Sequence, residues 1–171
     1  MIQKTVYIKI KPSQIINLET FVLSLLAIPF IIYIDDVMKE YLPLTFISNE
    51  IKVHLYRFPT YLSAFVLINL IYKGFQVYCI QYEVDSEELR CYSGIFKRKH
   101  EIIELYRVKD FLIEKPLIYR LLGLGNLTIY TSDKTTPVLR MQAIKEPEEK
   151  YKILRGLVEL NRREKHVFEV D

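Results

Sequence analysis

His54, His100 and His166 are the only histidines in the chain, and they stand far apart in sequence. A metal site needs several imidazole, thiolate or carboxylate donors converging on one point, usually with a close pair at its start. Cys79 and Cys91 form no Cys-x-x-Cys pair, and neither has a histidine beside it. No metal and no other cofactor is therefore expected. No serine sits in a nucleophile-elbow context, and the many acids form no recognisable pair for general acid–base work. Gly123 and Gly125 make a Gly-x-Gly, but a strand follows them. A dinucleotide fingerprint needs a strand before its glycines and a helix after them. The expectation is a chain with no catalytic residues that performs no chemistry.

What remains is charge. Arg90, Lys97, Arg98, Lys99, Arg107 and Lys109 alternate with apolar residues over neighbouring predicted strands. Such a set suits contact with a partner or with anionic lipid, where each cation near the surface gains roughly 1 kcal/mol. A solvated strand face accounts for the same pattern. The formal net charge is +3, and no basic stripe with interleaved aromatics is present, so nucleic acid is not an expected partner.

The elements that position these residues come in two kinds. Half of the residues are hydrophobic, but they are concentrated. Residues 15–34 are almost continuously apolar after Glu19, with Pro29 inside, and residues 61–80 form a second block interrupted by Asn69, Lys73 and Gln76. About 20 helical residues rise roughly 30 Å, the hydrocarbon thickness of a bilayer. Residues 15–80 are thus predicted to be a transmembrane helical hairpin, with two buried helices of a soluble bundle as the alternative. Asn69 is the candidate for intramembrane packing, since an amide there can hydrogen-bond across helices. No small-residue cleavage site follows the first block, so a cleaved signal peptide is not expected.

Residues 1–14, with a β-like alternation, carry Lys4, Lys9 and Lys11 and no acid. Basic residues recur after the second block. Lys and Arg set topology, which favours both termini in the cytoplasm and an extracytoplasmic connection over residues 35–60. In that connection Val37, Met38, Tyr41 and Leu42 fit a short amphipathic turn ended by Pro43, and Ile51, Val53, Leu55 and Phe58 approximately alternate with polar residues. It is either a folded cap, a docking surface or a loop shielding the helix ends.

From Val77 the period becomes two. Strands are predicted over residues 77–85, 89–92, 96–105, 108–114, 127–131 and 137–141, with turns at 85–88, 93–94 and 132–136. This assignment sets Cys79 and Cys91 on consecutive strands, where a bridge or two free thiols are both open. Residues 116–122 make one helical turn with Leu117, Leu121 and Leu122 expected inward. Pro147 with Glu148 and Glu149 opens a final helix, and Arg162, Arg163 and Lys165 close it, matching the helix dipole.

This order of features resembles the bacterial pleckstrin-homology family of small membrane proteins (bPH2, the "domain of unknown function 304" type). The residues that carry the resemblance are the 82–90 hairpin, Gly94-Ile95-Phe96 with Arg98, and the run 107–131 with its Gly-x-Gly corner. Glu114-Lys115-Pro116 departs from the small polar residues more usual in that family. The resemblance implies two N-terminal spans followed, over residues 81–165, by a cytoplasmic pleckstrin-homology-like domain: an all-β sandwich or partly open barrel closed by a C-terminal α-helix. Residues 166–171 are expected to be a tail. It implies a bacterial inner-membrane protein in contact with the lipid bilayer. Function is expected to be that of a membrane-anchored interaction or scaffold module, with a protein partner or a second copy. The alternative is peripheral recognition of anionic lipid headgroups by the basic strands.

Overall fold

A computed structural model describes residues 8–41 and 48–166. Lys4, Pro43 and the residues 167–171 of the predicted tail lie outside these. The chain divides into a β unit, residues 1–16 with 76–171, and a helical unit, residues 17–75.

The β unit holds two antiparallel sheets. The first contains β1 (Ile8–Ile10), β2 (Gln81–Val84), β3 (Glu88–Ser93) and β4 (Lys99–Glu104) in that order; the second contains β5 (Val108–Glu114), β6 (Leu124–Thr131) and β7 (Val138–Lys145). The sheets do not close into a barrel. Alternation along β2 and β3 drives Tyr82, Val84, Leu89 and Cys91 inward, where they meet Ile103, Leu105, Leu127, Ile129 and Met141. The alternation is strict in β2 and looser in β6, and it makes one face of each sheet dry.

Two features of the first sheet differ from the sequence reading. The strand predicted from Val77 starts at Gln81, because helix continues to Tyr78. Cys79 is therefore not on a strand, and both cysteines are free. The N-terminal segment, predicted as separate from the domain, supplies β1: Ile8 lies opposite Val84, and Ile10 opposite Tyr82. The helical unit is thus an insertion between the first two strands of one sheet.

The last helix, α4 (Pro147–Glu164) once α1 to α3 are counted, covers the core with Leu154, Leu157 and Val158. Asn161 falls on the same helical face. Its buried amide donates to the Leu157 carbonyl at 2.8 Å and to the Ser86 carbonyl at 2.6 Å, tying α4 to the β2–β3 turn. Arg162 donates to the Val108 carbonyl at 2.6 Å.

In the helical unit, α1 spans Leu18–Tyr41 and α2 spans Asn49–Tyr78. Most of the predicted 35–60 connection is helix. Residues 42–47 lie outside the described residues and Ser48 is coil. Among the described residues one helix, Gln14–Glu40 with its opening 3-10 turn, is long and apolar enough to cross a membrane. The second is longer, but Pro59, Asn69, Lys73 and Gln76 dilute its apolar content. Leu25 and Phe30 in α1, and Phe65, Ile68 and Phe75 in α2, are exposed. Asn69 is exposed as well, and its amide makes no hydrogen bond among the described residues. The cross-helix bond comes from Asn17, whose buried amide donates to the Lys73 carbonyl at 2.9 Å.

The remaining helix, α3 (Leu117–Leu121), forms the corner between β5 and β6. Leu117, Leu121 and Leu122, expected inward, point out. The corner is too short to fold back over the sheet, and the space beneath it is filled. A Cβ on Gly125 would lie 2.8 Å from Pro147 Cγ, 3.0 Å from Lys115 Cγ and 3.2 Å from the Glu114 oxygen.

Candidate functional site

The strand register fixes which turns share an end of the first sheet. Gln81 faces Tyr92, Ser93 faces Lys99, and Ile10 faces Tyr82. The turn 94–98 therefore sits beside Lys11, which follows β1, and beside Tyr78 and Cys79, which precede β2. This is the end where the chain leaves for α1 and returns from α2.

These segments enclose an open cleft of about 590 Å³. Lys11, Arg98 and Lys99 bring positive charge; Tyr78, Tyr92 and His100 bring rings; Glu83 is the acid in the lining. Tyr92 and His100 lie directly opposite across β3 and β4, and their rings stack at 4.4 Å with a 12° interplanar angle. The Lys11 ammonium stands 5.4 Å from the Tyr78 ring centroid, within cation–π range. Glu83 is occupied by Lys9 at 3.2 Å and by the Gln81 amide at 2.5 Å. Gly94 shapes the turn: at φ 95° an added Cβ would lie 2.0 Å from the Lys97 carbonyl oxygen. Only glycine lets the chain reverse there, and the reversal carries Lys97 and Arg98 out into water.

The predicted basic set is divided by this geometry. Arg98 and Lys99 line the cleft, and Lys97 is exposed beside it. Neither Lys97 nor Arg98 forms an ion pair among the described residues. Lys99 is held at 2.6 Å by Glu101, whose hydrogen bond and charge raise its pKa. Arg90 donates from Nε and Nη2 to Glu88 at 3.0 and 2.9 Å, which raises its pKa. Arg107 donates to the Tyr106 hydroxyl at 3.2 Å and pairs with Glu104 at 2.7 Å; both raise its pKa. Lys109 lies on β5 beside a smaller cleft of about 190 Å³ with Asp110, Phe111, Tyr151, Arg155 and Arg162. Arg90, Arg107 and Lys109 thus stand outside the helix-proximal cleft.

Lys11, Tyr78, Tyr92 and His100 were not expected from the sequence to share a binding cleft. Tyr92 and His100 only become neighbours through the β3–β4 register, and Lys11 joins them only because β1 pairs with β2. Among the described residues no cluster of three His, Cys, Asp or Glu side chains is placed to hold a metal ion.

Two open antiparallel sheets of four and three strands, covered by one C-terminal helix, define a pleckstrin-homology-like domain. A family model described as the bacterial PH domain matches residues 15–158, and the chain belongs to that family. No curated protein and no solved structure matches the chain.

Proposed function

We propose that this chain is a membrane-anchored, non-enzymatic binding module of the bacterial inner membrane whose helix-proximal cleft takes the phosphate of an anionic lipid headgroup. The observation that carries this reading is the position of the unpaired Arg98 and of Lys11, at the end of the β unit where the chain enters and leaves the helical unit. A phosphate is bound by charge-assisted hydrogen bonds from cations of this kind. The stacked rings offer glycerol and headgroup carbons a flat apolar wall.

The membrane reading draws support from α1 and from β1. A single crossing by α1 would leave Ile10 and Tyr82 on opposite sides of a bilayer, yet they are sheet partners. An insertion between paired strands has to cross an even number of times. If α1 spans, α2 returns, despite its Asn69 and Lys73. Both termini then share one side, and the lysines of residues 1–14 favour the cytoplasm for it.

The test uses the full chain, delipidated in mild detergent. Short-chain phosphatidylglycerol should raise its melting temperature more than phosphatidylcholine does, since a ligand that binds the native state stabilises it by mass action. The double substitution Lys11→Glu with Arg98→Glu should remove that preference. Equal shifts for the two lipids in the unsubstituted chain would refute headgroup recognition.

A second reading, a scaffold subunit, is favoured by Asn69. Its amide is exposed on α2 between apolar neighbours, and in a membrane a helix of a second copy would satisfy it. Asn69→Leu should then lower the mass of the detergent-solubilised particle.

A further inference from the structure

We infer that the α3 corner is a second, peripheral membrane anchor, in which the β unit dips its own apolar side chains into the bilayer interface. Leu117 is 72% exposed and Leu121 83%, with Ile118 and Leu122 about half exposed beside them. A single surface leucine needs no explanation. Four large apolar side chains within six residues make a patch of the kind that marks an interaction surface.

The occupant follows from where the corner lies. Gly123 accepts from the Glu146 N–H at 3.2 Å. Asn126 Oδ1 accepts from the Ala143 N–H at 3.0 Å, and the Ala143 carbonyl accepts from the Ser13 N–H at 2.9 Å. Ser13 immediately precedes the 3-10 turn that opens into α1. The leucine corner is therefore at the end of the β unit from which the membrane-crossing helix departs.

Phe96, 90% exposed at the tip of the β3–β4 turn, is at that same end. The opposite end is polar: Asp85, Ser86 and Glu87 form the β2–β3 turn, and Ser132, Asp133 and Lys134 begin the β6–β7 turn. Apolar tips on one end and polar tips on the other match a domain resting on a bilayer. Arg120 and Lys145, both exposed by the corner, suit the phosphate layer above it. A corner of six residues falls short of the roughly 20–30 residues a side of a stable protein interface, whereas interfacial segments need enter only about 5–10 Å.

This inference rests on α1 spanning the bilayer and not on headgroup selectivity. The chain contains no tryptophan, so single tryptophans report cleanly. Full-length Leu121→Trp, Phe96→Trp, Leu25→Trp in α1 and Lys134→Trp at the distal turn would each be reconstituted in phosphatidylcholine vesicles brominated on the acyl chain. Leu117→Trp serves as a second reporter of the corner. Leu25, Leu121, Leu117 and Phe96 tryptophans should be quenched several-fold more than the Lys134 one. Quenching at position 25 with none at 117 and 121 would overturn the anchor while leaving α1 in the membrane. No quenching at position 25 would overturn the spanning reading and the anchor with it.

Discussion

The backbone N–H of Ser13 donates to the carbonyl of Ala143 at 2.9 Å. A ladder defect makes this possible. The β6–β7 register shifts between Gly125 and Leu127, and Ala143 takes a positive φ of 47°. The shift removes the ordinary partner of the Ala143 N–H, and Asn126 Oδ1 replaces it. The carbonyl is freed for the segment that leads to α1. A bulge that re-aims a backbone group is a usual device at sheet rims.

Asn126→Ala should therefore destabilise the β unit although the residue is only half-buried. The Ala143 N–H would lose its acceptor, and an orphaned buried donor costs about 1–3 kcal/mol. Thermal unfolding of the full chain in detergent measures this. Asn126→Asp, which keeps an acceptor oxygen, should recover most of the loss.

Gly125→Ala and Gly156→Ala should move stability in opposite directions. At Gly125 the new methyl meets Pro147, Lys115 and the Glu114 carbonyl at 3.2 Å or less, and overpacking of that kind costs about 1–3 kcal/mol. At Gly156, in the exposed middle of α4, nothing lies within 4 Å. There alanine gains helix propensity worth about 0.5–1 kcal/mol. Equal melting temperatures for the two variants would contradict the packing described at the corner.

Ile10→Ala should unfold the β unit more readily than its position near the chain start implies. Ile10 is buried against the first sheet, and removing such a side chain costs about 2–5 kcal/mol. A fragment beginning at β2 should be weaker still, because it exposes the whole β2 edge. Denaturant melts of the variant and the fragment, monitored by tyrosine fluorescence, check both.

The two cysteines should differ in reactivity. Burial first, and the charge of Glu101 second, push the Cys91 thiol from an ordinary value of 9.0 up to about 11. Cys79 is half-buried and lines the open cleft. At pH 8 iodoacetamide should label Cys79 and spare Cys91 until the chain unfolds. The sign for stability follows. Between about 9 and 11 the unfolded thiol loses its proton while the folded one keeps it, so the unfolded state binds fewer protons. This contribution is complete below pH 9 and is lost as pH rises through 11. Cys91→Ser should flatten the alkaline limb of a pH–stability curve.

The order of strands, the Gly94 turn, the Gly-x-Gly corner and the final helix were legible from alternation and turn chemistry, which are local. What escaped the sequence was nonlocal. β1 is three residues whose partner strand lies beyond two helices. Which basic residues share the cleft depended on strand register, and which of them are ion-paired depended on the carboxylates within reach: Glu88 for Arg90, Glu104 for Arg107 and Glu101 for Lys99. Leu117 and Leu121 were expected inward because apolar side chains usually are; no periodicity in a five-residue helix can tell one side from the other. Asn161 had a signal, four residues after Leu157 on the buried stripe of α4.

The pairing of β1 with β2 also sets an order of events in the cell. Synthesis releases β1 first, and it waits without a partner while both helices are made. Only when β2 has been made can β1 find its place in the first sheet. On the proposed reading of α1 and α2 as spans, a chain whose second helix failed to return would strand Ile10 and Tyr82 in different compartments and leave an open sheet edge, the kind of surface that proteases and chaperones detect. On that reading sheet closure would proofread the threading of the helices, and the domain would become soundly folded only in correctly inserted molecules.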